Sequence, residues 1–264
     1  MILVTGGTGF LGPTLVESLV STGESVRVLT RRPDRIPRVH GADYVLGDLR
    51  APESLVPAVQ GVRVVVSAAC GLIGHDGETP ESVDMLGNRN LQKAVESSGA
   101  SIVMMSVVGA DPDSPLELAR AKWAAEQYLR ASGSPWSIVR ALPFLETWIE
   151  ILGASAGRRG GPVVLGRGEN PIGFVSVAVV AREITRAVAP TFLVGHVTEL
   201  GGDPITMNQL AERVRQEQGR TGSVRHVPRI AVRAVAAALR PVKPAVARLA
   251  SAAYELDTAR MTLG

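Results

Sequence analysis

The stretch Thr5-Gly6-Gly7-Thr8-Gly9-Phe10-Leu11-Gly12 decides the fold. It follows a short apolar run, Ile2–Thr5, and leads into a segment where Leu11, Leu15 and Leu19 recur at helical spacing. The reading is a strand, a tight glycine turn and a helix over 10–19. Glycines at 6, 9 and 12 each have a physical task there: a turn with positive φ, close approach of backbone to a pyrophosphate, and tight packing of helix on sheet. The helix start adds free N–H donors and a partial positive charge suited to phosphate. Gly6, Thr8, Gly9, Phe10, Leu11 and Gly12 are therefore candidate contacts to a dinucleotide.

Working outward, the same alternation continues along the chain. Strands are expected over 25–29, 43–46, 62–67, 102–106 and 136–140, with helices over 54–59, 81–98 and 115–131 between them. Strands that read as continuous Val/Ile/Leu runs are buried on both faces, as in a parallel sheet covered by helices on each side. The expected fold class is α/β, a doubly wound parallel sheet of the Rossmann kind with a smaller, mostly helical C-terminal region. Residues 1–150 form the expected nucleotide-binding core. Residues 151–264 form a substrate-covering region interwoven with that core rather than an independent domain. Past Arg140 the pattern loosens into a Gly-rich stretch over 153–173, then resumes with a helix over 177–188 and a strand at His196–Leu200. Thr206 and Gln209 form a T-x-x-Q capping box before a helix ending near Gly219.

Length and composition agree with one main α/β unit: 264 residues, 45% hydrophobic, with no repeat and no Pro/Ser-rich linker. The longest apolar runs fall far short of the ~20 residues of a membrane-spanning helix. Met1 is followed at once by the first strand, with no basic leader, so a cytoplasmic location is expected. Cys70 is the only cysteine, which rules out an internal disulfide, and no metal site is expected. Charge is uneven: from Arg220 onward eight Lys/Arg face two acids, while the preceding residues carry 20 bases against 23 acids. The basic residues lie in alanine-rich helical sequence without aromatic interleaving, so no nucleic-acid partner is expected. This segment reads either as helices over a substrate cleft or as a membrane-surface element, with Pro241 and Pro244 interrupting any long amphipathic face.

The end of the second strand discriminates between the two nicotinamide cofactors. A carboxylate there accepts from a ribose 2′-hydroxyl and repels a 2′-phosphate. This chain has Arg31 and Arg32, whose guanidinium groups suit a phosphate monoester, so NADPH is the expected cofactor. Asp48, followed by Leu49, stands where a carboxylate would accept from the adenine amino group. Ala68 and Ala69 are small enough to let the adenosine side lie against the backbone.

These features, with Gly87-Asn88-Arg89-Asn90-Leu91, Ser106-Val107-Val108-Gly109-Ala110 and Arg120-Ala121-Lys122-Trp123-Ala124-Ala125-Glu126, resemble the atypical short-chain dehydrogenases that include NmrA-like and isoflavone-reductase-like proteins. The resemblance implies that Lys122 bonds the nicotinamide ribose, unless it is an ordinary surface lysine, and that Pro143 and Phe144 flank the nicotinamide. It also exposes departures. The proton-donating tyrosine of the family is replaced by Leu118, which cannot transfer a proton. The partner serine is replaced by Val107 or Val108, with Ser106 as a stand-in one position early. His75, in the long loop 71–80, is the candidate replacement donor because its pKa lies near neutrality. Phe144, Leu145 and Trp148 are expected to line an apolar substrate cleft, Trp148 being equally suited to a plain core role.

The functional expectation is an NADPH-dependent reductase of an apolar aromatic or conjugated carbonyl compound. Delocalised acceptors of that kind form a stable anion and take up a proton afterwards. A non-catalytic NADP(H) sensor and a non-redox cyclase or isomerase are the alternatives. The partner is then a small molecule, with the chain a monomer or a homodimer and not integral to a membrane.

Overall fold

The computed structural model describes residues 1–33, 38–74, 77–157, 160–192 and 195–263. The chain forms two compact units, 1–141 with 177–199 and 142–176 with 200–264. The boundary therefore differs from a single cut at 150, because the chain returns to the first unit to complete its sheet.

In the first unit, β1 (Ile2–Thr5), β2 (Val26–Thr30), β3 (Ala42–Leu46), β4 (Val64–Ser67), β5 (Ser101–Val107), β6 (Trp136–Ala141) and β9 (His196–Leu200) assemble in the order β3-β2-β1-β4-β5-β6-β9. The registered pairs from β3 through β6 are all parallel, Thr5 lying level with Leu29 and Ser67. The order reverses direction at β1, and in such sheets ligands bind beyond the carboxyl ends of the strands at the reversal. β1 and β4 are buried along their whole length, which explains their unbroken apolar runs. One face packs Leu3, Val65, Ile102 and Met104 against Leu55 of α2 (Leu55–Ala58), Leu91 and Val95 of α3 (Asn88–Glu96) and Leu129 of α4 (Glu117–Ala131). On α1 (Gly12–Ser21), Ser18 Oγ shares a 2.8 Å hydrogen bond with Thr185 Oγ1 of α6 (Val177–Ala187).

The helix expected over 81–98 starts differently. Residues Pro80–Gly87 form wide i→i+5 turns before α3 begins. Thr79 caps them, accepting from Ser82 N–H at 3.0 Å. The Asn88 side-chain amide donates to the Asp84 carbonyl at 2.8 Å, occupying the acceptor that a regular α-turn would give to the Asn88 main chain.

The second unit contains α5 (Leu145–Ser155), where the sequence reading assigned no element, and two small strand pairs within or beyond the Gly-rich stretch. β7 (Val163–Leu165) pairs in parallel with β11 (Arg225–Val227), and β8 (Pro171–Ile172) antiparallel with β10 (Ile205–Thr206). The expected capping box is present: Thr206 accepts from Gln209 N–H at 3.1 Å at the start of α7 (Met207–Glu217). Leu152, Ile172, Phe174, Leu210 and Leu256 are core residues there. Two further helices, α8 (Arg229–Leu239) and α9 (Pro244–Thr258), complete this unit. No helix among the described residues is long and apolar enough to cross a membrane.

Candidate nucleotide site and the buried charges behind it

Gly6 has φ 73°, and a Cβ there would lie 2.5 Å from Ala69 N and 2.6 Å from the Ala68 carbonyl oxygen. Only glycine allows both the conformation and the approach. A Cβ on Gly12 would lie 2.3 Å from the Gly7 carbonyl carbon, so α1 begins in contact with the turn it follows. Gly9 N–H donates to Gly6 O at 3.0 Å and Gly12 N–H to Gly9 O at 3.1 Å, which ties the turn together. Leu11 is buried as an anchor while Thr8, Gly9 and Phe10 stay exposed. The result is a solvent-facing backbone arc at the N-terminus of α1, whose first turn carries no acid. A pyrophosphate fits that cradle in shape and polarity.

Arg31 and Arg32 are both exposed just beyond β2. Arg31 Nη1 pairs with Glu78 at 2.8 Å, and Arg32 N–H reaches Thr30 Oγ1 at 3.3 Å. Asp48 is engaged by a neighbouring cation. Its carboxylate is held by Arg50, with Nε 3.1 Å from Oδ1 and Nη2 2.7 Å from Oδ2. Hydrogen bonds from Arg50 hold the Asp48 carboxyl below the usual carboxylate range despite partial burial, and the Arg31 charge adds to this. Arg50 is thus a third cation at this end of the sheet that the sequence reading did not count. Leu49 is buried, its carbonyl accepting from Asn90 Nδ2 at 2.9 Å. Ala68 and Ala69 are half-buried against Gly6.

Lys122 is no surface lysine: its side chain is 3% exposed. Its Nζ lies 2.8 Å from Oδ1 of Asp84, which is fully buried, and donates to the Ala69 carbonyl at 3.3 Å. Asp84 Oδ2 accepts the Gly71 N–H at 2.8 Å. The pair therefore grips the chain on both sides of Cys70, just where Gly6 packs. Burial alone would lower the Lys122 pKa, but the facing Asp84 charge, with Cys70 and Glu126 further off, raises it above the ordinary lysine value. Ser67 Oγ donates to Asn88 Oδ1 at 2.5 Å and continues the network. Asp84 and Asn88 were missed in the sequence, where their four-residue spacing puts two polar groups on one face of an otherwise core-facing helix.

One turn along α4, Glu126 is also fully buried. It accepts from Ser106 Oγ at 2.6 Å and from Arg140 Nε at 2.9 Å and Nη2 at 2.7 Å. Ser106 is 0% exposed and its proton is committed to Glu126, so it is not placed as the expected catalytic hydroxyl. The physical reason is the alternation of strand faces: a one-residue shift sends the side chain to the opposite side of the sheet. His75 lies outside the described residues.

Pro143, Phe144, Leu145 and Trp148 belong to the second unit. Phe144 bridges to Val175, whose N–H donates to Pro143 O at 3.1 Å. Trp148 is a core side chain there, 8% exposed, beside a cavity of about 50 Å³ lined by Leu152, Ile172 and Met207.

A parallel sheet with this glycine cradle at the β1–α1 turn defines a Rossmann-type nucleotide-binding protein. The model of a family described as NAD(P)H-binding matches residues 6–189, and the chain belongs to that family. A photosystem II assembly factor of Synechocystis sp. is 30% identical over 196 residues, covering 71% of this chain and 58% of that protein. A (4-alkanoyl-5-oxo-2,5-dihydrofuran-3-yl)methyl phosphate reductase of Streptomyces griseus is 29% identical over 223 residues, covering 83% and 74%. The chain spans about half the length of the first curated relatives it matches. Among solved structures, an NADPH-dependent quinone oxidoreductase of Escherichia coli superposes with TM-score 0.79 at 23% identity, covering 100% of this chain and 91% of that one, a likeness of fold.

Proposed function

We propose that the protein is an NADPH-dependent reductase acting on quinone-like or otherwise conjugated acceptors. The observation that carries this reading is the state of the residues that would manage a proton. Leu118 stands in the place of the tyrosine, and the Ser106 proton is given to buried Glu126. Such a site suits acceptors whose reduced form is a stabilised anion that later takes a proton from solvent. The bound nicotinamide would supply the hydride.

The residues of this chain divide the remaining work. The arc over 6–12 binds the pyrophosphate, and Arg31 with Arg32 takes the 2′-phosphate, displacing Glu78 from Arg31. Lys122 acts as a positioning residue, holding the Ala69 carbonyl while Asp84 holds Gly71 N–H, so that the β4 exit keeps its place under Gly6. The test is NADPH oxidation by the purified protein against a panel of quinones, polycyclic ketones and enones, with NADH as the comparison. Turnover with NADPH that survives Ser106→Ala supports the reading. Leu118 at the tyrosine position and the engaged Ser106 hydroxyl also favour a second reading, an NADP(H) sensor, and tight NADPH binding without turnover on any acceptor selects it.

A further inference from the structure

The basic C-terminal helices are not accounted for by the nucleotide site. α8 turns its inner face, Val232 with Ala236 and Leu239, toward α9 and the second unit. Its outer face is the unusual one: Ile230, Ala234, Ala237 and Ala238 point to solvent, Ile230 being 84% exposed. A surface helix normally turns charged residues outward. In the connection to α9, Val242 is 74% exposed, and Val246 is exposed in the first turn of α9. The apolar strip therefore runs the ~17 Å length of α8 and on past its end.

Cations flank this strip. Arg233 and Arg240 lie two helical turns apart along one edge, and Lys243 follows beside Val242, all three exposed. The Arg233 guanidinium lies 5.8 Å from the centre of the Tyr254 ring, whereas Arg229 is spent on an ion pair with Asp257. Between Arg220 and Tyr254 the sequence holds seven Lys/Arg and no acid. A second copy pairing across this face by a two-fold axis would bring like charges together. An anionic lipid surface accepts both components at once, aliphatic side chains at the headgroup boundary and guanidinium or ammonium groups among the phosphates.

We propose that α8 and the α8–α9 connection form a peripheral docking surface for anionic phospholipid membranes. The aliphatic side chains of Ile230 and Val242 insert shallowly, and Arg233, Arg240 and Lys243 contact the lipid phosphates. This surface belongs to the second unit, whereas the glycine arc belongs to the first, and it needs no part of the proposed reductase chemistry.

The test is flotation of the full chain with vesicles of phosphatidylcholine alone and of phosphatidylcholine with one-third phosphatidylglycerol. Binding is expected only to the anionic vesicles, and to weaken sharply above about 0.1 M salt as the charges are screened. At about five-fold per cation, Arg233→Glu with Arg240→Glu and Lys243→Glu should lower partition by about 100-fold or more. Ile230→Ser with Val242→Ser should lower it several-fold at unchanged charge. Both variants alter exposed side chains, and unchanged circular dichroism and NADPH binding verify that they fold. Equal binding to both vesicle types, no binding to either, or wild-type binding by the charge-reversed variant overturns the proposal. A dimer seen by light scattering that Ile230→Ser abolishes would assign the face to a second copy and overturn it as well.

Discussion

Replacing Lys122 by methionine tests how the nucleotide site is held up from behind. The substitution keeps the length of the side chain and removes its charge, leaving fully buried Asp84 with the Gly71 N–H as its remaining hydrogen-bond donor among the described residues. Removing one partner of a buried ion pair costs about 3–5 kcal/mol, because the other charge stays out of water uncompensated. For a chain of this size that corresponds to a fall in melting temperature on the order of 10 °C. Asp84→Asn should cost a similar amount, stranding the ammonium while keeping an acceptor for Gly71. The double variant removes both charges, so its loss should fall short of the sum of the singles by about 2–3 kcal/mol. Urea unfolding followed by circular dichroism at neutral pH measures all four corners of the cycle. Additive losses, or a Lys122→Met protein as stable as wild type that has lost only nucleotide affinity, would refute the argument that the pair holds the β4 exit.

The pH dependence of the same pair has a definite sign. The Lys122 pKa is raised on folding, so its stabilisation is fully present below the ordinary lysine value of 10.5 and is lost as pH rises through the folded value. The stability gap between wild type and Lys122→Met should be flat between about pH 6 and 9 and close only in more alkaline solution, as urea midpoints across pH would show. Arg31→Ala with Arg32→Ala should weaken NADPH binding by about 100-fold with little effect on NADH, whereas Glu78→Gln should tighten NADPH several-fold by removing the competing carboxylate, both read by fluorescence titration. Ser106→Ala should cost about 1–2 kcal/mol by removing one hydrogen bond to buried Glu126, whose two oxygens both stay paired with Arg140, and leave turnover per folded molecule unchanged. Gly12→Ala should abolish NADPH binding, since its Cβ would overlap the Gly7 main chain and the turn has to move.

The sequence by itself determined the layer architecture and the nucleotide turn. Both depend on local signals: unbroken apolar runs at β1 and β4, glycines at 6, 9 and 12, and arginines one residue after a strand. The Thr206–Gln209 capping box was legible for the same reason, since all its atoms lie within one turn of helix. α5 was not legible because Gly153 and the glycines after it obscure the period. Tertiary structure decided what the buried charges do. Lys122 meets Asp84 across 38 residues of chain, and Ser106 meets Glu126 and Arg140 from a strand and a helix, so no spacing rule links them. Tertiary structure also decided that the chain returns at 177–199 to finish the sheet. An ion pair or an edge strand depends on which segments fold against each other, and that is written in the packing of the whole unit rather than in any window of residues.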